Sequence, residues 1–225
     1  MVEYIVAIDV TRVRFPADAF FGMDVECLSA LLRPFAESAL HIVEEAFARF
    51  PEDRIFLAYN GGKDCSVLLY LLLRFTSRRV SVVYFDSGED FEEVQEHIRY
   101  VAELENIPVR YLPLSVKAGT QQLVDEGFQA CFLGQRQDDP SAPRSAFLPS
   151  TPGWPPLTRI CPILDWKVLQ VWSFLRELHV PVCDLYRHGY TSLGPKSLTA
   201  PHPALGDRPA WELADSSSER AGRRS

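Results

Sequence analysis

Ile55-Phe-Leu-Ala-Tyr-Asn-Gly-Gly-Lys-Asp-Cys65 is the stretch of this chain that decides the fold. Five apolar or aromatic residues precede the paired glycines Gly61 and Gly62, and a leucine-rich run over 65–75 follows them. A short apolar run that ends in Gly-Gly predicts a buried strand entering a tight turn. The leucine-rich run predicts the helix that follows this turn.

The alternation of strand and helix continues on both sides of this stretch. Further strands are predicted at 80–85, 109–112 and 130–133. Helices are predicted over 29–50 and 91–106, and 121–127 is predicted to be the end of another helix. Strands separated by helices at such spacings indicate a parallel sheet, because a crossover of this length returns the chain to the same edge. We therefore predict a single α/β domain with a doubly wound, mostly parallel sheet and helices on both faces.

The carboxyl-terminal third departs from this pattern. Six prolines make a regular helix or strand implausible over 135–157, which predicts a long loop. A helix is predicted over 165–179 with Asp165 as its N-cap, and turns over 187–203. From Asp215 the chain is almost devoid of apolar residues, which is typical of a flexible tail. The expected organisation is an N-terminal extension and helix (1–50), the α/β domain (51–212) and a flexible tail (213–225).

Composition and charge exclude several classes of protein. The net charge of −7 and the absence of clustered basic residues disfavour nucleic-acid binding. The sequence contains no run of eighteen apolar residues, so no membrane span is predicted. Its first residues lack the pattern of a secretory signal. The five cysteines include no C-x-x-C pair, and the five histidines show no metal-like spacing and are expected on the surface or in loops. We expect a cytoplasmic monomer.

The residues around the paired glycines suit a phosphate. Glycine lets the backbone approach a ligand closely, and the N-terminus of the next helix directs N–H groups and a positive dipole to the same place. Lys63 adds positive charge, and Asn60 and Asp64 are candidate ligands of Mg2+ or of its water. The pattern is neither a Walker A loop nor G-x-G-x-x-G. A strand–helix connection without a ligand is the alternative.

Tyr59-Asn-Gly-Gly-Lys-Asp-Cys65 resembles the phosphate loop of ATP pyrophosphatases, in the form found in the sulfonucleotide-reductase-like (phosphoadenosine phosphosulfate reductase) branch and particularly in eukaryotic FAD synthases. Further segments resemble those enzymes in the same order, over about 55–224: Gly134-Gln-Arg-Gln-Asp-Asp-Pro140, Thr151-Pro-Gly-Trp-Pro-Pro156, Arg159-Ile-Cys-Pro-Ile-Leu-Asp-Trp166, Gly189-Tyr-Thr-Ser-Leu-Gly194 and Arg208-Pro-Ala-Trp211. The resemblance implies a fold like that of the adenine nucleotide α hydrolases. It also implies that the protein transfers AMP from ATP to FMN, giving FAD and pyrophosphate, with Mg2+.

The resemblance also implies roles for particular residues. The catalytic group would be Asn60, Lys63, Asp64 and Arg136, with Asn60 and Asp64 also holding Mg2+. Nucleotide-binding residues would be Tyr59, Gly61, Gly62 and Asp86, the last toward the ribose or adenine. Flavin-binding residues would be Asp139, Trp154, Pro155, Pro156, Leu157, Arg159 and Ile163, together with Arg220 and Arg223 of the tail. Arg136 and Arg159 are the candidate ligands of the phosphates.

Two other readings of the sequence remain open. One is a different enzyme with the same loop, which would adenylate another acceptor. A sulfonucleotide reductase usually needs a cysteine in its tail, and a tRNA-thiolating enzyme usually needs C-x-x-C pairs, and this sequence has neither. The other is a protein that binds flavin or nucleotide without catalysis. Release of pyrophosphate separates that class from the enzymes.

Overall fold

A six-stranded sheet forms the centre of the computed structural model, which describes residues 22–140 and 143–224. The order of its strands is β3-β2-β1-β4-β6-β5. The strands are β1 (Ile55–Ala58), β2 (Ser81–Phe85), β3 (Val109–Leu112), β4 (Ala130–Phe132), β5 (Phe147–Pro149) and β6 (Thr158–Ile160). The helices are α1 (Arg33–Arg49), α2 (Lys63–Phe75), α3 (Glu92–Leu104), α4 (Val116–Asp125) and α5 (Val168–Glu177). Residues 1–21 of the predicted extension lie outside the described residues.

Alternation of side chains along the strands divides the core into two layers. In β1, Ile55 and Leu57 pack into the larger layer with residues of α1, α2, α3 and α5, whereas Phe56 points into the smaller layer. The smaller layer includes Leu123 of α4. Successive strand residues face opposite sides of a sheet, so this division follows from the apolar sequence of β1. The predicted α/β fold with helices on both faces is confirmed.

Strand order reverses at β1, which fixes the place of the site. β1 pairs in parallel with β2 on one side and with β4 on the other, and β4 pairs in parallel with β6. The segments that leave β1 and β4 therefore diverge at the same carboxyl edge. Ligands of open α/β sheets bind at such a point. The paired glycines follow β1 at this edge, and residues 133–140 follow β4.

The turn between β1 and α2 needs glycine at Gly61. Its φ is +68°, and a Cβ added there would lie 3.1 Å from Cγ1 of Ile98 on α3. A side chain at this position would be strained by the left-handed backbone and crowded by α3. Helix α2 begins at Lys63, directly after this turn and two residues before the predicted start.

Three predictions about local structure are wrong. The proline-rich segment contains β5, which pairs antiparallel with β6 alone at the edge of the sheet, where Pro149 is tolerated. Helix α5 begins at Val168, and the N–H of Lys167 donates to Oε1 of Gln170, so Asp165 is not the cap. His97 is buried on α3, not at the surface. His97 is buried because it lies on the face of α3 that packs on the turn between β1 and α2.

The C-terminal segment, residues 213–224, also differs from the expected flexible tail. The N–H of Ala200 donates to the carbonyl of Gly222, and the N–H of Arg224 donates to the carbonyl of Leu198. Thr199 and Arg223 form an antiparallel bridge. These partners are distant in sequence, so composition gives no signal of them. None of the helices described in 22–140 and 143–224 has the length and apolarity needed to cross a membrane.

Candidate active site

A cavity of about 540 Å³ lies at the carboxyl edge of the sheet, over the turn between β1 and α2. We call residues 59–65 the phosphate loop and this space the loop cavity. Its wall includes five residues of the loop that were predicted as site residues, namely Tyr59, Asn60, Gly62, Lys63 and Asp64. Asp139, Arg220 and Arg223 also line it. The structure therefore brings together predicted residues that lie up to 164 positions apart in the sequence.

Side chains hold the phosphate loop in its conformation. Oδ1 of Asn60 accepts the N–H of Gly62 at 3.1 Å and the thiol of Cys65 at 2.8 Å. The N–H of Lys63 donates to the hydroxyl of Tyr186 at 2.8 Å. Asn60 is thus engaged in the turn itself, which is a structural role alongside the predicted binding role. Tyr186 was missed by the sequence analysis, because nothing in its local pattern marks a contact with residue 63.

Four charged side chains form a cluster beside the loop. Nζ of Lys63 lies 3.0 Å from Oδ2 of Asp64 and 2.5 Å from Oε1 of Glu219. Nε of Arg136 lies 2.7 Å from Oδ1 of Asp64, and its Nη2 lies 2.6 Å from Oε2 of Glu219. Exposed fractions are 3% for Lys63, 1% for Arg136 and 7% for Glu219. Two positive and two negative groups thus compensate one another, with three of them buried and the Asp64 side chain 22% exposed toward the loop cavity.

The charges of this cluster shift the pKa values of Lys63, Asp64 and Arg136 toward their ionised forms. Burial alone would raise the pKa of Asp64, but the charges of Lys63 and Arg136 outweigh it and lower that pKa. Burial likewise opposes the charge on Lys63, yet the carboxylates of Asp64 and Glu219 raise its pKa above the ordinary value. The pKa of Arg136 is raised for the same reason. The ionised state of the loop is therefore a property of the whole cluster.

Arg136 lies behind the wall of the loop cavity. Its guanidinium contacts Asp64 and Glu219, and its backbone N–H donates to Oδ2 of Asp139 at 2.9 Å. This arrangement lets Arg136 orient a residue of the loop and the C-terminal segment. The role of phosphate ligand, which the resemblance implies for Arg136, stays a prediction.

An apolar chamber of about 360 Å³ adjoins the loop cavity. The two spaces share the wall residues Ala58, Phe85, Val116, Leu133 and Gln135. Trp154, Leu157 and Arg159, all predicted to contact flavin, line the chamber. Pro155 and Pro156 lie with Trp154 in a shallower groove against α4. A flat hydrophobic ring needs such aliphatic and aromatic surface.

Of the other predicted site residues, Gly61, Asp86 and Ile163 line neither space. Oδ1 of Asp86 accepts the N–H of Gly88 at 3.0 Å and a side-chain N–H of Gln95 at 3.3 Å, so this carboxylate caps its own turn. Ser87 and Asp90 from the same turn line the loop cavity. Ile163 is fully buried in the larger core layer. Its side chain supports the site from within the protein and does not face either space.

The residues present fit Mg2+ only together with a nucleotide. Within the described ranges, no three His, Cys, Asp or Glu side chains stand close enough to hold a metal ion. Asp64 supplies a carboxylate at the cavity, and both of its oxygens contact cationic side chains. Mg2+ is commonly held by one or two carboxylates plus the phosphates of a substrate. Asp64 and a bound triphosphate would make such a site, with Asn60 as the neighbouring amide.

The sequence profile of the phosphoadenosine phosphosulfate reductase domain matches residues 54–112 and 113–201, more than half of the chain. The chain belongs to this family. Several FAD synthases are among the relatives of the chain. The chain is 33% identical over 204 residues to the probable FAD synthase of Schizosaccharomyces pombe, an alignment that covers 82% of this chain and 77% of that one.

A second relative and a solved structure extend the comparison. Identity is 36% over 206 residues with the probable FAD synthase of Caenorhabditis briggsae, covering 83% of this chain and 39% of that protein, so the chain spans about two fifths of the nematode protein. The crystal structure of Candida glabrata FMN adenylyltransferase with FMN and an ATP analogue matches with a TM-score of 0.79 at 24% identity, covering 86% of this chain and 90% of that one. This structural match shows a shared fold.

Proposed function

We propose that this protein is an FAD synthase, which transfers AMP from ATP to FMN and releases pyrophosphate. The observation that carries the proposal is that the loop cavity and the apolar chamber adjoin each other and share one wall. The loop cavity offers a glycine turn, a helix N-terminus and Lys63, which suit a triphosphate. The adjoining apolar chamber offers the surface of Trp154 and Leu157, which suits an isoalloxazine ring. The FAD synthases among the relatives support the same assignment.

The reaction needs little from the protein beyond placement. An oxygen of the FMN phosphate attacks the α-phosphorus of ATP, the bond from that phosphorus to the bridging oxygen breaks, and pyrophosphate leaves. The attacking phosphate is already ionised, so no protein nucleophile or strong base is required. Lys63 and the N–H groups at the start of α2 would offset the negative charge that gathers on the phosphates. Arg136 and Asp64 hold Lys63 and the loop in position.

Mg2+ is the second part of this proposal. The ion would be held by Asp64 and the substrate phosphates, near Asn60, and would supply charge neutralisation for the departing pyrophosphate. Asp64 is kept ionised by its two cationic neighbours, as a metal ligand must be. We also propose a cytoplasmic monomer that binds neither nucleic acid nor membrane. Its α/β domain would run over 51–212 and the segment that closes the site over 213–225.

The first experiment combines purified protein with ATP, Mg2+ and FMN and separates the products by chromatography. FAD and pyrophosphate are expected in equal amounts. Pyrophosphate with another adenylylated acceptor would favour a different ATP pyrophosphatase. Flavin binding without release of pyrophosphate would favour a non-catalytic binding protein.

Two loop variants test the catalytic residues. Lys63→Ala and Asp64→Ala are each expected to lower turnover about a hundredfold or more, because each removes a charged group from the phosphate site. Lys167→Ala is the matched control, since its ion pair with Asp138 is exposed and contributes little. Far-ultraviolet circular dichroism would establish that each variant is folded. Near-normal turnover in both folded loop variants would contradict the assignment of these roles.

A further inference from the structure

We propose that Glu219 is a positioning residue that makes the C-terminal segment part of the phosphate site. Its carboxylate bridges Nζ of Lys63 at 2.5 Å and Nη2 of Arg136 at 2.6 and 2.8 Å. Among the described residues of the C-terminal segment, Glu219 has the only buried carboxylate. This inference rests on the proposed function, and it concerns how the residues that touch ATP are held.

The charges of the cluster require Glu219. Lys63 and Arg136 carry two positive charges in a place that water scarcely reaches, and Asp64 balances only one of them. A buried charge without a partner is strongly unfavourable. Without Glu219, therefore, the two cationic side chains would turn toward the remaining carboxylate or toward water. Glu219 holds the side chain of Lys63 in place because, together with Asp64, it balances the positive charges of Lys63 and Arg136.

The backbone around Glu219 is anchored on both sides. The hydroxyl of Thr191 donates to the carbonyl of Glu219 at 2.6 Å, and Nε2 of His202 lies 2.9 Å from the carbonyl of Ser218. Arg220 follows directly and Arg223 four residues later, and both line the loop cavity. The carboxylate and these two backbone contacts together fix where the two arginines reach the cavity. One residue links the loop beside α2 to the wall built by the C-terminal segment.

Three variants separate this role from a general effect on folding. Glu219→Gln keeps the size of the side chain and removes its charge, whereas Glu219→Asp keeps the charge one methylene further back. Glu212→Gln is the matched control, because Glu212 is an exposed carboxylate directly before the C-terminal segment. Each protein is assayed for FAD formation with ATP and FMN varied separately. Hydrogen exchange of residues 216–224 is measured without any ligand.

For Glu219→Gln we expect kcat to fall about tenfold to a hundredfold and the KM for ATP to rise, because a small displacement of Lys63 misplaces the phosphates. Exchange over 216–224 should accelerate about tenfold as the segment detaches. Glu219→Asp should restore part of both properties, and Glu212→Gln should resemble the wild type. If Glu219→Gln does not fold, Glu219→Asp must still show the intermediate kinetics and exchange.

Two results would overturn the proposal. A lower KM for ATP in Glu219→Gln would mean that the carboxylate competes with a phosphate for Lys63. Unchanged exchange and kinetics in the folded variant would mean that other contacts hold the segment and the loop. The exchange measurement does not depend on catalysis. If the wild type forms no FAD, the proposed function fails, while exchange still decides whether Glu219 docks the segment.

Discussion

His97 and Gly61 define the floor beneath the phosphate loop. His97 is 7% exposed, and its Nε2 meets no hydrogen-bond partner among the residues that the structure describes. A Cβ added to Gly61 would lie 3.5 Å from Cδ2 of this ring. An unpaired polar atom in such a place disfavours a charge on the ring. The floor beneath the loop is therefore neutral, in contrast to the charged cluster of Lys63, Asp64, Arg136 and Glu219 beside it.

This burial predicts a pH dependence of stability. It lowers the pKa of His97 to about 4, below the ordinary value near 6.5 that the unfolded chain would show. Between these values the unfolded state binds a proton and the folded state does not. The contribution of His97 is thus complete above pH 6.5 and declines as the pH falls toward 4, by about 1 kcal/mol per pH unit.

Urea unfolding at several pH values would measure this slope. His97→Gln should unfold with a shallower dependence on pH between 6.5 and 4, because the variant has no group at this position to protonate. His41→Gln is the control, since His41 is exposed on α1. An identical slope in wild type and His97→Gln would show that His97 is not kept neutral by burial.

At the scale of elements, local signals were sufficient for the β1–loop–α2 unit and insufficient for the carboxyl-terminal third. The apolar run, the glycine pair and the leucines are contiguous, and each predicts its own conformation. The strand β5 depends on pairing with β6 across an intervening turn, and the C-terminal segment depends on partners at 191–202. Pairing of this kind leaves no periodic trace in a sequence. For the same reason, Tyr186 and Glu219 were missed while Lys63 and Asp64 were found.

The turn between β5 and β6 presents Trp154 in a defined conformation. The N–H of Ser150 donates to the carbonyl of Leu157 at 3.0 Å, and Oγ of Ser150 accepts the N–H of Leu157 at 3.2 Å. The N–H of Trp154 donates to the carbonyl of Thr151 at 3.0 Å. The turn is closed by these bonds, although Trp154 is 44% exposed. An exposed indole held at the rim of an apolar chamber is available to a ligand.

Trp154→Ala should therefore weaken flavin binding without weakening the fold. We expect the KM for FMN to rise about tenfold, which corresponds to about 1.4 kcal/mol of lost contact. The midpoint of thermal unfolding should stay nearly unchanged, because an exposed side chain contributes little to the core. Leu169→Ala is the control, since Leu169 is an exposed apolar residue of α5. An unaltered KM for FMN would place the flavin away from this chamber.

At the scale of the whole molecule, the loop cavity is assembled from segments that lie far apart in the sequence. The walls of the loop cavity come from the ends of β1, β2 and β4, from residues 186–195 and from the C-terminal segment. They span residues 58–223, so the cavity exists only when the sheet and the segment are both in place. A ligand that binds here binds the folded state alone. Its binding free energy must therefore add to the stability of the entire described fold.

Thermal unfolding with and without FAD tests this coupling. At a free FAD concentration about one hundred times its Kd, stability should increase by about 2.7 kcal/mol. For a chain of this size that increase corresponds to roughly 5–10 °C in the midpoint. The far-ultraviolet signal of the sheet and the fluorescence of the tryptophans should shift together, because no part of the cavity is independent of the rest.

Riboflavin at the same concentration is the control, and it should give a smaller shift because it lacks the phosphates and the adenosine. A shift confined to one probe would mean that FAD stabilises a local element, and equal shifts with both compounds would mean that the phosphate loop takes no part in binding.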